Sequence, residues 1–128
     1  MSARQTFARE LVAVRRALRG LPGIAERAHY GGPAFCVNGK MFALYWAKEG
    51  RWIVKLPHYQ QMMLFEARPE TFAPKRSGRM VWSYVVVGDL GAVELADLLT
   101  RAWRNVAPKK LSTMPPSPAK ERERKQPL

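Results

Sequence analysis

The sequence predicts an α/β (α+β) fold, a twisted antiparallel sheet with helices packed on one face. Three observations carry that expectation. Between residues 31 and 56, three apolar runs are separated by Asn38-Gly39 and by Glu49-Gly50. Asn-Gly is the strongest short hairpin signal, because both turn residues must tolerate positive φ. Phe7, Leu11, Val14 and Leu18 recur at helical spacing near the start, and Leu95, Leu98, Leu99, Ala102, Trp103 and Val106 do so near the end.

The first helix is expected over Thr6 to Arg19, capped by Thr6 or Ser2 and stopped by Gly20 and Pro22-Gly23. Arg4, Arg9, Arg15, Arg16 and Arg19 lie off its apolar stripe, as a solvated face or a phosphate-contacting one. A short strand, Ile24 to Tyr30, precedes the Gly31-Gly32-Pro33 break. Strands then run over Ala34–Val37, Lys40–Ala47 and Arg51–Leu56. Two-residue turns would pair Phe35 with Phe42, Trp46 with Ile53 and Leu44 with Lys55. Alternation then puts Phe35, Val37, Lys40, Phe42, Leu44, Trp46, Arg51, Ile53 and Lys55 on one face. Cys36, Met41, Ala43, Tyr45, Ala47, Trp52, Val54 and Leu56 share the other, uncharged face, which is the one expected under the helices.

A second helix is expected from Pro57 to Arg68, Pro57 suiting its first turn and Met62, Met63 and Phe65 filling core. Pro69 to Pro74 then leads into a basic loop, Lys75-Arg76-Ser77-Gly78-Arg79. Met80 to Val87 is an apolar, β-branched run that reads as a buried strand. Gly88 to Gly91 introduces a last helix over Ala92–Val106, with Asp97 and Arg101 as an exposed i,i+4 pair. From Ala107 onward five prolines and a Lys-Glu-Arg-Glu-Arg-Lys run indicate a loosely attached basic tail, leaving one domain over residues 1–106.

The 128 residues suffice for one core, and 47% of them are apolar. No apolar run approaches the roughly 18 residues that span a bilayer, and the N-terminus lacks a secretory layout, so a cytoplasmic location and no membrane partner are expected. Cys36 is the one cysteine, which excludes an internal disulfide. Charge is the unusual feature: 22 Lys and Arg against 10 Asp and Glu, net +12. Residues 1–106 carry 16 basic and 8 acidic side chains, so the excess is not confined to the tail. Such a balance suits a polyanionic partner, because phosphate neutralisation releases counterions; a generically basic protein would show the same totals.

Catalytic patterns are missing. His29 and His58 lie on different predicted elements, without metal-ligand spacing. No serine stands in a Gly-x-Ser-x-Gly setting, and there is no Gly-x-x-x-x-Gly-Lys-Ser/Thr loop. The expectation is a non-enzyme without metal or cofactor.

Leu21-Pro22-Gly23-Ile24, Pro33-Ala34-Phe35, Gly39-Lys40-Met41-Phe42-Ala43, Ile53-Val54-Lys55-Leu56-Pro57 and Met80-Val81-Trp82 occur in an order that resembles the MmcQ/YjbR family, from about Phe7 to Lys110. The resemblance implies a compact domain of frataxin-like (CyaY-like) shape. It also implies DNA binding through a proposed "double wing" of hairpins, family function being otherwise largely unassigned. Fold likeness alone would suggest iron handling, but that wants clustered carboxylates, and Glu10 stands alone among five arginines.

The expected function is therefore non-catalytic binding of nucleic acid, DNA first, by a monomer. Lys40, Lys48, Arg51, Lys55, Lys75, Arg76 and Arg79 are the expected phosphate contacts, and Trp46 and Trp82 the aromatic ones. Lys40 and Lys55, on one predicted face roughly 14 Å apart, would suit a phosphodiester backbone better than a small anion. The alternative is a protein- or small-ligand-binding module that uses the exposed aromatics beside Gly31-Gly32-Pro33, with an apolar pocket near Trp46 and Trp82.

Overall fold

The computed structural model describes residues 2–112. The proposed tail beyond Ser112 lies outside them.

Helix α1 (Ala3–Leu18) begins at Ser2, whose hydroxyl accepts from the Gln5 backbone while the Gln5 side chain accepts from Ser2 N–H, a reciprocal cap. The strands are β1 (Ile24–His29), β2 (Gly32–Val37), β3 (Lys40–Trp46), β4 (Arg51–Val54), β5 (Phe72–Ser77) and β6 (Met80–Val85). They form one antiparallel sheet in the order β1-β2-β3-β4-β6-β5. Helix α2 (His58–Ala67) joins β4 to β5; α3 (Ala92–Val106) and a single-turn helix α4 (Lys109–Ser112) follow β6. Among the described residues no helix is long and apolar enough to cross a membrane.

All the helix contacts fall on one side of the sheet. Val14 and Leu18 of α1 and the whole expected stripe of α3 are buried against Phe35, Val37, Phe42, Ala43, Trp52, Val54, Phe72 and Val85, with Leu64 and Phe65 of α2 packed alongside. Trp103 is the largest fully buried side chain, and its indole N–H donates to the Pro22 carbonyl at 3.0 Å. Leu111 packs on the same core, so the packed chain runs about five residues beyond Val106.

Four sequence expectations change. A bulge in β3 puts Cys36 opposite Met41 but Phe35 opposite Ala43, leaving Phe42 as the extra residue. Phe42 and Ala43 thus both face the helices, and every expected side upstream of the bulge reverses. Phe35, Val37 and Phe42 lie under the helices, whereas Met41 packs on the opposite side with Ala34 and Leu44. Lys40, opposite Val37, falls on the helix side, so it does not share a face with Lys55.

The second change is the β3–β4 turn, which spans residues 47–50, closed by Glu49 N–H to Trp46 and Gly50 N–H to Ala47. Trp46 therefore pairs with Arg51 and Leu44 with Ile53. The slip is two residues, an even number, so faces are preserved.

Third, the expected basic loop is largely strand β5, which pairs with β6 from Phe72–Val85 to Ser77–Met80. Pro74 disguised it; at the sheet edge its missing N–H costs no ladder bond.

Fourth, Met62 and Met63 are exposed, and Gln61 is the buried residue of α2. Its amide donates to Val81 O at 2.9 Å and accepts from the Ser83 hydroxyl at 2.7 Å, which satisfies both ends in the interior.

Among the described residues, two ties between α1 and the sheet are polar: Arg15 pairs with Glu26 of β1, and the Trp52 indole of β4 donates to Glu10 at 3.1 Å. Burial pushes the Glu10 carboxyl above its ordinary value of 4.5, and the Trp52 hydrogen bond opposes only part of that rise. Between those two values the native protein binds more protons than the unfolded chain, so this group's contribution to stability falls as pH rises through the window. Glu10→Gln keeps an acceptor for the indole and removes the desolvated charge. Its thermal midpoint at neutral pH is expected to equal or exceed that of wild type, with a flatter profile as pH rises above the ordinary carboxyl value of 4.5. A lower midpoint in a neutral-pH melt would contradict this account of Glu10.

Candidate functional site

The face of the sheet turned away from the helices has its own apolar floor: Ala34, Leu44, Ile53 and Tyr84 are buried, with Met41, Trp46, Ala73 and Trp82 packed on them. Here the cover comes from the long side chains of the strands themselves. Arg51 on β4 sets its guanidinium 3.5 Å above the centre of the Tyr84 ring on β6. Lys75 of β5, paired with Trp82, reaches across to within 5.6 Å of the Trp46 ring and 5.9 Å of Tyr84. Lys55, held in the ladder by its N–H to Phe42 O, lies 5.9 Å from the Trp82 ring. Cations at such distances are attracted to the ring quadrupole, by about 0.5–1 kcal/mol each when exposed, and keep donors free for an incoming anion.

Glu49, from the β3–β4 turn, is the acid in this patch. Its carboxylate accepts from the Tyr84 hydroxyl at 2.7 Å and stands 3.8 Å from the Lys75 ammonium. Burial, then this carboxylate, raises the Tyr84 phenol above its ordinary value, with Arg51 acting against them. Tyr84 is therefore a neutral donor, and its ring is a fixed platform for the two cations.

Trp46 continues into a second aromatic group. The Tyr30 ring stands 5.7 Å from it, edge to face, and His29 lies 4.5 Å from Tyr30. An open cleft of about 320 Å³ runs along this face, lined by His29, Met41, Trp46, Lys75, Met80 and Trp82 among others.

Five of the nine sequence-expected site residues thus meet on one surface: Arg51, Lys55, Lys75, Trp46 and Trp82. Lys48 and Arg79 are exposed on flanking turns, at opposite ends of the strands. Lys40 and Arg76 are exposed on the other side of the sheet, Arg76 because it pairs with Val81 and alternates with Lys75. The sequence reasoning missed Tyr84, Glu49 and His29, and met Tyr30 only in the alternative reading. Tyr84 was findable, two residues after Trp82 in a strand whose alternation puts both on one face.

A larger groove of about 540 Å³ lies between α1 and β1, beside Phe7, Leu11 and Pro33. Arg15 is already paired there, gripping Glu26 through two of its nitrogens at 2.9 and 2.6 Å, which leaves the exposed Arg27 as the one cation that this groove offers an anion among the described residues. Among the described residues, no three His, Cys, Asp or Glu side chains stand close enough to share a metal ion.

No curated protein matches the sequence. The fold is similar to the crystal structure of the Deinococcus radiodurans protein DR2400, a DUF419 domain, with a TM-score of 0.66 and 22% identity over 84% of this chain and 90% of that one. At that identity the likeness speaks to the fold alone. The sequence itself matches the YjbR family model over residues 19–105, from the end of α1 almost to the end of α3. With that match spanning the whole sheet and nearly all of helix α3, the chain belongs to the YjbR family.

Proposed function

We propose that this protein is a non-catalytic nucleic-acid-binding module, DNA being the first candidate, and that the helix-free face of its sheet is the binding surface. The observation that carries the reading is the placement of Arg51, Lys55 and Lys75 over Tyr84, Trp82 and Trp46. Lys48 and Arg79 on the flanking turns extend the positive strip. Phosphates are met by cations whose stems are already packed, so little side-chain freedom is lost on binding. Contacts of this type hold a backbone without specifying sequence.

The cleft supports a second reading, a small-ligand site, since about 320 Å³ falls within the range of ligand pockets and its walls are mostly apolar. Salt separates the two. Binding of random-sequence DNA is measured by fluorescence anisotropy from about 50 to 300 mM salt, with the full chain and with residues 1–112. The nucleic-acid reading expects log Kobs to fall against log salt with a slope of roughly −2 to −4, for three to five phosphates, in both proteins. A truncation at Ser112 is used because an earlier one would remove Leu111 from the core. Loss of all binding with residues 113–128 would move the site off the folded domain and leave the ligand reading.

A further inference from the structure

Resting on the nucleic-acid reading, the geometry points to single-stranded nucleic acid as the ligand of this face, with Tyr30 as a base-stacking residue. Two observations lead there. The first is that the cations of the face sit on aromatic rings. In a duplex the flat faces of the bases are hidden by their neighbours, and only edges and backbone can be touched. A strip that alternates ring and cation matches an unstacked strand, whose bases offer ring faces and whose phosphates follow alongside.

The second is the backbone of Tyr30. The β1–β2 hairpin has a two-residue loop, Tyr30-Gly31, closed by the His29–Gly32 pair. Both loop residues have positive φ, 47° at Tyr30 and 83° at Gly31. The β2–β3 loop solves the same problem with Asn38 (52°) and Gly39 (76°), the residues this turn type prefers. A bulky aromatic in the left-handed region is a steric outlier, and such outliers gather where a side chain is held for use. Folding gains little from it, because Tyr30 is 76% exposed. What the conformation does is raise the ring over the end of the sheet, next to Trp46, which in turn stands beside Lys75. Ring, ring and cation then follow one another along the face, the order in which a strand presents bases and phosphates.

The test uses the full chain and four labelled probes of about 15 nucleotides: oligo-dT, oligo-U, a duplex, and an abasic deoxyribose-phosphate strand. Wild type is expected to bind oligo-dT or oligo-U at least roughly tenfold more tightly than the duplex and the abasic strand. The stronger of the two homopolymers identifies DNA or RNA. Tyr30→Asn keeps a residue suited to the turn, so its thermal midpoint should equal or exceed that of wild type. It should weaken homopolymer binding roughly tenfold while leaving the abasic strand unchanged. Duplex bound as tightly as the homopolymers overturns the single-strand assignment and leaves the nucleic-acid reading standing. Unchanged homopolymer affinity in Tyr30→Asn overturns the role of Tyr30. No binding to any of the four probes would remove the nucleic-acid reading and this one with it.

Discussion

Replacing Arg51, Lys55 and Lys75 together by glutamine is expected to weaken nucleic-acid binding roughly hundredfold at low salt. The estimate takes about 1 kcal/mol for each lost charge-assisted contact, about 3 kcal/mol in all. The salt slope should become shallower by roughly 2 to 3, one phosphate per cation removed. All sequences should be affected alike, because none of the three is expected to read a base edge. Folding should survive, since each cation–ring contact contributes about 0.5–1 kcal/mol, and the apolar floor of Ala34, Leu44, Ile53 and Tyr84 remains. The informative control is Lys40→Gln with Arg76→Gln. That pair removes two exposed charges from the other side of the sheet and should change affinity only a few-fold. Equal losses from the two sets in the anisotropy titration would mean that total charge, not this face, drives association.

Trp103→Ala should be the most damaging single truncation in the helix-side core, at about 3–5 kcal/mol. Trp103 is 1% exposed and packs at the centre of the layer where α3 meets the sheet. Removing it opens a large cavity and also leaves the Pro22 carbonyl without its donor. A domain of this size has about 5–15 kcal/mol of stability in all. Each lost kcal/mol lowers the midpoint of a domain near 100 residues by about 4–8 °C. The variant should therefore melt more than about 10 °C below wild type by circular dichroism, or fail to fold. A shift of a degree or two would mean that the helix layer is packed more loosely than the burial of α3 indicates.

The parts of the fold that were legible in the sequence are those where a local pattern decides the outcome. Helix α3 begins and ends at the expected residues, because its six apolar positions follow one helical stripe and all six are buried. Asn38-Gly39 closes the expected turn, with Val37 opposite Lys40. Non-local geometry was not legible. A bulge at Phe42 leaves no mark in an apolar run, yet it reverses the expected face of β2 and of β3 up to Phe42. Strand β5 hid behind Pro74, and only its place at the sheet edge makes that proline acceptable. Met62 and Met63 looked like core because composition cannot show that Gln61, hydrogen-bonded to Val81 and Ser83, occupies the buried side of α2.

The candidate site shows the same division. Arg51, Lys55, Trp46 and Trp82 could be found as charged and aromatic residues on predicted strands. Lys75 was found as well, but as a loop residue, whereas its reach over Trp46 and Tyr84 depends on β5 being a strand. The Lys40–Lys55 pair failed because its geometry ran through the bulge. Tyr30 entered only the alternative reading, among the aromatics beside Gly31-Gly32-Pro33, because an aromatic beside two glycines gives no sign of its own backbone angle.

Binding at the helix-free face is reported directly by the four tryptophans. Trp46 and Trp82 lie on that face, while Trp52 and Trp103 are buried between the helices and the sheet. Indole N–H signals of the full-length protein, recorded in 1H–15N spectra during titration with a random-sequence single-stranded oligonucleotide, separate the two pairs. Progressive shifts at Trp46 and Trp82, with Trp52 and Trp103 still, are the predicted result. Binding that leaves Trp46 and Trp82 unmoved, or that moves Trp52 and Trp103 instead, would place the interface elsewhere and contradict the account.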